Sequence, residues 1–408
     1  MKKPQHNKLK LLVLASTYPR WKKDTLPPFV HELARRLTNT FDVHVLAPHA
    51  PGAAVHEILD GVQIHRFRYL PESLETIAYS GGMLPGLFSR PWRLLGVPIF
   101  LLAQWISAIR LLRRYRFGVV HAHWLLPQGL IAVLAVKVSG VHAGILCTGH
   151  GADVFALNGK LVRHLKGYAL KNSARVTVVS NAMLDALRSI TVIDQRYSVL
   201  PMGVDAVNRF VPGSTPPNPR SILFVGRLAE KKGVRFLLEA LALIEDRAGI
   251  KLRIIGSGTE EAHLRMLTEQ LHLNEQVKFE GPVPNQALPD WYQNSAITVF
   301  PSIATPYGDQ EGFGLVPAEA LACGCAVIAS DLPAVRDVIR DKETGLLVPP
   351  KSSKALADAI ESLMADSDLR LRLTKQGRCF IVENLDWSII SIKYNSILEQ
   401  IARNKNGN

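Results

Sequence analysis

Residues 221–242 read SILFVGRLAEKKGVRFLLEALA. Ser221 to Val225 is a short apolar run of the kind that forms a buried strand, and Val234 to Ala242 repeats its apolar residues at helical spacing. Between them Gly226-Arg227-Leu228-Ala229-Glu230-Lys231-Lys232-Gly233 makes a glycine-bounded basic turn. Strand, turn and helix in that order are one βα unit of a parallel sheet. A glycine at the strand end lets a ligand approach the backbone, and a helix start offers unpaired N–H groups. Arg227 and Lys232 could then pair with two phosphates. The spacing is not that of a Walker loop. Taken alone, such a turn is also what a solvated basic loop looks like.

The same alternation extends in both directions. Strands are expected upstream at Lys10 to Ala15, Val43 to Ala47, Val62 to Arg66, Val119 to Ala122, Gly144 to Thr148 and Arg175 to Val179, with helices such as Pro28 to Leu37 and Asn181 to Arg188 between them. Downstream, Lys251 to Ile255, Val277 to Glu280, Ile297 to Pro301 and Ala326 to Ser330 continue the pattern. The stretch 205–220 holds four prolines and no helical periodicity, and it reads as a linker. The expected organisation is an α/β fold of two Rossmann-like domains, residues 1–204 and 221–385, facing across a cleft. A terminal helix and tail, residues 386–408, cross back to the first domain. Open α/β sheets bind ligands beyond the carboxyl ends of their strands, so both domains would turn their ligand sides to that cleft.

Bulk properties agree with an ordinary globular chain. Of its 408 residues, 47% are hydrophobic and 20% charged, which excludes a disordered or fibrous protein. The net charge of +13 is unevenly placed. Residues 1–200 carry 25 Lys+Arg against 10 Asp+Glu, and the remainder 23 against 25. Such asymmetry points to an anionic partner for the first half alone. Cys147, Cys323, Cys325 and Cys379 form no CxxC pair, so neither a disulfide framework nor a zinc site is indicated, and a cytoplasmic location fits best. Lys2, Lys3, Lys8 and Lys10 before LLVLAS resemble a secretory leader, but the apolar stretch is short and reads as a first buried strand. Leu94 to Ile109 is strongly apolar and flanked by Arg90, Arg93, Arg110, Arg113, Arg114 and Arg116. It is too short to span a bilayer, which leaves a buried helix or one lying in a membrane interface.

A second constellation follows the run TVFPS: Glu311-Gly312-Phe313-Gly314-Leu315-Val316-Pro317-Ala318-Glu319, leading into EALAC. Eight residues and two glycines separate the carboxylates, placing Glu311 in a loop and Glu319 on the helix. A loop carboxylate can accept hydrogen bonds from sugar hydroxyls, and a helix carboxylate from a ribose diol. The N–H groups of Gly312 to Val316 could meet a phosphate at the helix start.

These residues resemble the retaining glycosyltransferases of family 4, which have the two-Rossmann GT-B fold. Glu311 and Glu319 match the family's Glu-x7-Glu signature, and Gly226, Arg227, Lys232 and Gly233 its GRL…KG signature. Further matches are PMGVD at Pro201 to Asp205, IIGSG at Ile254 to Gly258, Pro301-Ser302, EALACGCAVIAS at Glu319 to Ser330, TGLLVPP at Thr344 to Pro350, and Trp387. The resemblance covers nearly the whole chain and is strongest from 200 to 350. It implies that Arg227 and Lys232 hold a leaving diphosphate, Glu319 the ribose and Glu311 the transferred sugar. Gly226 and Gly256 would line the donor, and the backbone near Val283 would meet the base. Thr148 to Asp153 looks like the family's histidine motif, with His150 against the donor sugar and Asp153 on the acceptor side. The implied activity is metal-independent, retaining transfer of a hexose from a nucleotide-sugar, UDP-linked before GDP- or ADP-linked, to a glycan or glycolipid in bacterial surface polysaccharide biosynthesis. In such a reaction the diphosphate leaves from the face at which the acceptor arrives and can itself take the acceptor proton. One departure is the loop after the first strand, where STYPRWKKDTLPPF, with Pro27 and Pro28, replaces a Gly-Gly pair; no phosphate contact is assigned there.

Other readings rest on thinner signals. His121, His123, His150 and Asp153 offer ligand types for zinc, but no further ligand cluster accompanies them, and no metal is expected. Asp366-Ser367-Asp368 mimics a metal-binding DxD yet lies between helical patterns, where it reads as a helix cap. The basic residues follow no nucleic-acid-binding motif, so nucleic acid is not expected as a partner. A nucleotide-sugar epimerase of the same fold would need no acceptor at all, and a phosphorylase of the pyridoxal type would show a lysine-linked chromophore. Contact of the first domain with an anionic membrane, on the inner face of the cell membrane, is the partner that its charge suggests.

Overall fold

The structure, a computed structural model, describes residues 8–22, 24, 28–79, 95–156, 159–306 and 308–406. Lys2, Lys3, Pro27, Arg90, Arg93 and Leu94 lie outside them. The chain divides into two compact units. One comprises Met1–Val179, Met183–Leu200 and Ser391–Asn408, the other Ser180–Ala182 and Pro201–Ile390.

The first unit is built on an eight-stranded sheet: β1 (Leu9–Leu14), β2 (Phe41–Pro48), β3 (His56–Leu59), β4 (Val62–Phe67), β5 (Val119–His123), β6 (Gly144–Gly149), β7 (Arg175–Val178) and β8 (Tyr197–Val199). Its spatial order is β3-β4-β2-β1-β5-β6-β7-β8, and every pairing is parallel except β3 with β4. The second unit has six strands: β9 (Ser221–Val225), β10 (Lys251–Ile255), β11 (Val277–Gly281), β12 (Ile297–Phe300), β13 (Ala326–Ser330) and β14 (Leu346–Val348). Their order, β11-β10-β9-β12-β13-β14, is all parallel. It is the doubly wound Rossmann arrangement, with its reversal point between β9 and β12. All strands anticipated from the sequence are present. The additional ones, β3, β8 and β14, are only three or four residues long.

Strand β9 is buried from Ile222 to Val225 because helices cover both faces of a parallel sheet. The helix Val234–Leu243 that follows presents Val234, Leu237, Leu238 and Leu241 on one side, all buried. Arg235 and Glu239 pair at 2.6 Å on the other. Its apolar face meets Ile222, Phe224, Leu252, Ile254 and Ile297 from the sheet and Leu356 and Ile360 from the helix Ser353–Ala365 in one core. Asp366 caps the helix Ser367–Asn384, its Oδ1 accepting from the Leu369 amide at 2.8 Å.

The helix Val97–Tyr115 is buried along one stripe and carries exposed apolar residues on another. Phe100, Gln104, Ala108 and Leu112, four apart, form its buried stripe. Ile99 and Leu102 on its outer side, and Leu95 just before it, are about half-exposed or more. Among the described residues no helix is long and apolar enough to cross a membrane. The last helix, Trp387–Asn406, belongs to the second unit up to Ile390 and to the first from Ser391 onward. At its start the Trp387 indole packs on Gly203, where a Cβ would lie 2.6 Å from the ring. Farther along, Tyr394 donates to the Leu200 carbonyl at 2.9 Å.

Candidate active site

At the reversal point of the second sheet, two loops meet. Gly226 donates to the Ile255 carbonyl at 3.0 Å and Leu228 to the Ser257 carbonyl at 2.9 Å, which binds the turn after β9 to the turn after β10. The approach is so close that a Cβ on Gly256, whose φ is +130°, would sit 1.9 Å from the Gly226 carbonyl oxygen. Residues Glu230–Lys232 form a 3₁₀ turn closed by Gly233 at φ +62°. A Cβ there would lie 2.0 Å from the Pro301 carbonyl, so glycine lets the end of β12 press against this turn. The Ile303 amide donates to the Lys231 carbonyl at 2.8 Å and completes the seam.

Two ion pairs cross that seam. Lys232 Nζ lies 2.9 Å from Glu311 Oε1, with the side chains only 13% and 12% exposed, and also stands 4.8 Å over the Phe300 ring. Lys231 Nζ lies 3.0 Å from Asp309 Oδ1. Burial alone would raise the Glu311 carboxyl, but Lys232 beside it, then Lys231 and Arg227, hold it below the usual carboxylate range. Arg227, Lys232 and Glu311 are thus brought together. Chemically, this is a desolvated anion next to a concentration of positive charge at a strand end.

Gly312 and Phe313 are buried, and Gly314, at φ +127°, leads into the helix Leu315–Ala322 with Leu315 and Val316 in its first turn. Glu319 stands on that helix. Its Oε2 accepts from the Tyr292 hydroxyl at 2.9 Å. Burial pushes its carboxyl up to about 7, against the pull of Tyr292 and of Arg209. Val283 is half-buried in the loop after β11, two residues from Asn285, to which Arg209 is hydrogen-bonded. Arg209, Tyr292, Lys231 and Asp309 are additions to the residues anticipated from sequence. Lys231 is adjacent to a motif lysine and Asp309 stands two residues before Glu311; Arg209 and Tyr292 come from chain segments outside both signatures and carry no local mark.

In the first unit, His150 follows β6 in a cage of rings. Its Nε2 is 2.9 Å from His123 Nδ1, and the Phe29 and Trp124 rings lie 5.1 and 5.0 Å away. Burial lowers the His150 imidazole to about 3, so it is neutral at physiological pH. His121 bonds Thr148 Oγ1 at 2.8 Å and is pushed down to about 3 by the same cause. Asp153 is buried and already engaged: Oδ1 accepts from the amides of His150 at 3.0 Å and Gly151 at 2.9 Å, and Oδ2 from that of Leu125 at 2.8 Å. That geometry makes Asp153 the fastener of the histidine loop. Among the described residues no group of His, Cys, Asp and Glu is arranged to hold a metal ion.

Comparison with known proteins gives the same picture for both halves. Residues 208–380 match the family described as Glycosyl transferases group 1, and residues 28–207 that described as Glycosyltransferase Family 4. The chain is 23% identical over 305 residues to an N-acetyl-alpha-D-glucosaminyl L-malate synthase of Bacillus anthracis, covering 72% of this chain and 78% of that one. It is 35% identical over 185 residues to a phosphatidyl-myo-inositol mannosyltransferase of Mycobacterium leprae, spanning 45% of this chain and 47% of the other. The crystal structure of Anabaena Alr3699/HepE in complex with UDP has the same fold, with a TM-score of 0.72 at 16% identity over 96% of this chain and 100% of that one.

Proposed function

Because the chain belongs to the group 1, family 4 glycosyltransferases of GT-B fold, we propose that it transfers a hexose from a UDP-sugar, with retention of anomeric configuration, to a glycan or glycolipid acceptor. The observation that carries this reading is the Lys232–Glu311 pair with Arg227 beside it, set at the reversal point of the second sheet. Ligands of doubly wound sheets bind at that point. A diphosphate leaving group develops charge as the glycosidic bond breaks, and fixed cations in a desolvated site stabilise it without reorganising. Lys232 has three donors, so it can keep Glu311 and still meet a phosphate oxygen.

Roles then follow for the other residues. Arg227 and Lys232 take the diphosphate, Gly226 and Gly256 leave room for it, and the amides of Gly312 to Val316 meet it at the helix start. Glu311 orients the transferred sugar, Glu319 accepts from the ribose and the backbone at Val283 meets the base. His150, kept neutral, sits near the anomeric centre without competing for the proton, and the departing β-phosphate oxygen takes the acceptor proton. No dedicated protein base and no metal ion enter the reaction. The UDP held by the Anabaena protein supports the choice of nucleotide.

For the acceptor, the basic first half and the exposed Leu95, Ile99 and Leu102, in or just before a helix whose last turns carry Arg110, Arg113 and Arg114, favour a lipid-borne or otherwise anionic molecule at a membrane surface. A place in bacterial surface polysaccharide synthesis, on the inner face of the cell membrane, fits that acceptor. The phosphatidyl-myo-inositol mannosyltransferase is a related chain named for such a substrate. A panel of nucleotide-sugars scored by release of nucleoside diphosphate tests the donor, and proton NMR of the product anomer tests retention. Release from a UDP-hexose with the donor's anomer kept is the expected result. No release from any donor, or a donor converted to another nucleotide-sugar without acceptor, overturns it.

A further inference from the structure

Arg209, Phe210 and Val211 lie in the segment 205–220 read from sequence as a linker, yet they are part of the second unit and meet its Asn285, Tyr292 and Gln293. The Arg209 guanidinium donates to both the backbone and side-chain oxygens of Asn285, two residues past Val283. It also stacks 4.7 Å over the Phe210 ring, and its charge acts on Glu319. Phe210 meets the Tyr292 ring edge-on at 6.1 Å, and the Tyr292 hydroxyl returns to Glu319 at 2.9 Å. Gln293, next on the same helix (Leu288–Gln293), donates to the Val211 carbonyl at 2.9 Å. The contacts run unbroken from Asn285 to Arg209, Arg209 to Phe210, Phe210 to Tyr292 and Tyr292 to Glu319, a carboxylate that the Arg209 charge also reaches. Tyr292 is fully buried, with no role in the core that a phenylalanine would not fill except its hydroxyl.

We infer that Arg209 and Tyr292 are positioning residues for the nucleoside half of the donor, holding the Glu319 carboxylate and the Val283–Asn285 loop as one preformed ribose and base site. This rests on the donor assignment proposed above. Neither residue needs to touch the nucleotide; each fixes a group that does. A buried carboxylate left alone would take up a proton and lose its capacity to accept two hydrogen bonds from a ribose diol. Tyr292 and Arg209 both oppose that, and Glu319 titrates at about 7 with them in place. The remaining groups facing it do not supply the same help. The Cys323 and Cys325 thiols are pushed upward by burial, Cys325 to about 12, and stay neutral. Arg378 is engaged with the carbonyls of Phe210 and Ala322. No other charged residue lies on the helix of Glu319.

The test is calorimetric binding of UDP and of inorganic pyrophosphate to wild type, Tyr292→Phe, Arg209→Lys, Arg209→Ala and Glu319→Ala at pH 6, 7.5 and 9. Tyr292→Phe should weaken UDP about tenfold at pH 7.5, the worth of one hydrogen bond to a charged group. It should leave pyrophosphate unchanged, and the deficit should narrow by pH 9, where Glu319 is ionised with or without the hydroxyl. Arg209→Ala should weaken UDP at least as much, with part of the loss restored in Arg209→Lys, which keeps the charge but not the fork on Asn285. Should Arg209→Ala fail to fold, Tyr292→Phe, a single-oxygen deletion, still decides. UDP affinity unchanged in both, or pyrophosphate weakened as much as UDP, overturns the inference while Glu319→Ala still weakens UDP. If Glu319→Ala leaves UDP binding intact, the donor assignment falls and the inference with it.

Discussion

Replacing Lys232 with alanine removes an ammonium 2.9 Å from Glu311 in a site where each side chain is little more than a tenth exposed. Two separate losses follow. At that distance and an effective dielectric near 20, the gross attraction is about 6 kcal/mol, but most of it offsets the desolvation of two charges. The net loss of stability should therefore be about 3 kcal/mol, the low end for breaking a buried pair because Lys231 and Arg227 remain near Glu311, whose carboxyl rises as burial loses its largest opponent. The catalytic loss is of similar size: one preorganised contact to a developing anion is worth about 3 to 4 kcal/mol, or two to three decades in kcat. Double replacement separates the two. Lys232→Ala with Glu311→Gln removes the stranded charge and should recover most of the melting temperature while turnover stays low. The assay is nucleoside diphosphate release beside a calorimetric melt of each variant. Turnover of the single variant within about threefold of wild type, at unchanged fold, would refute the reasoning.

Glu319→Gln should stabilise the protein at pH 8 while weakening the donor. The folded carboxyl binds its proton more tightly than the ordinary value near 4.5, so stability falls as pH climbs from there to about 7. A glutamine never ionises and should return roughly 2 kcal/mol above pH 7, visible as a higher Tm that vanishes near pH 5. The same ionisation predicts a donor KM that rises as pH drops through 7, with no His150 contribution until far more acidic pH. Asp153→Ala strands three amides of the histidine loop and should cost about 3 kcal/mol in a thermal melt, with kcat lowered through the displaced His150. Ile99→Glu with Leu102→Glu should abolish sedimentation with anionic liposomes and leave UDP binding untouched; equal sedimentation would remove the membrane contact.

Sequence carried the fold because parallel strands buried on both faces are unbroken apolar runs, as in β9 and β13, and the turns between them keep their glycines. It missed β3, whose residues alternate between exposed and half-buried, and β8 and β14, which are too short for periodicity to register. The basic turn and the paired glutamates were legible because each lies within one local segment. Arg209, Tyr292 and Asp309 were not, since each meets its partner across more than 25 residues and only the folded sheet brings them together. Asp153 was visible as a carboxylate in a suggestive motif, but a carboxylate spent on three backbone amides cannot be told from a free one without coordinates. The helix Val97–Tyr115 defeated the choice between buried and interfacial because its apolar residues fall on both a buried stripe and an exposed side.

The proposed transfer depends on the turn from Gly226 to Gly233 gripping a diphosphate. Calorimetric titration of UDP against uridine, in wild type and in the Arg227→Ala, Lys232→Ala double variant, measures that grip alone. UDP should bind wild type at least a hundredfold more tightly than uridine, with the gap all but gone in the double variant. Equal affinity of wild type for the two, or undiminished UDP binding by the variant, would contradict it.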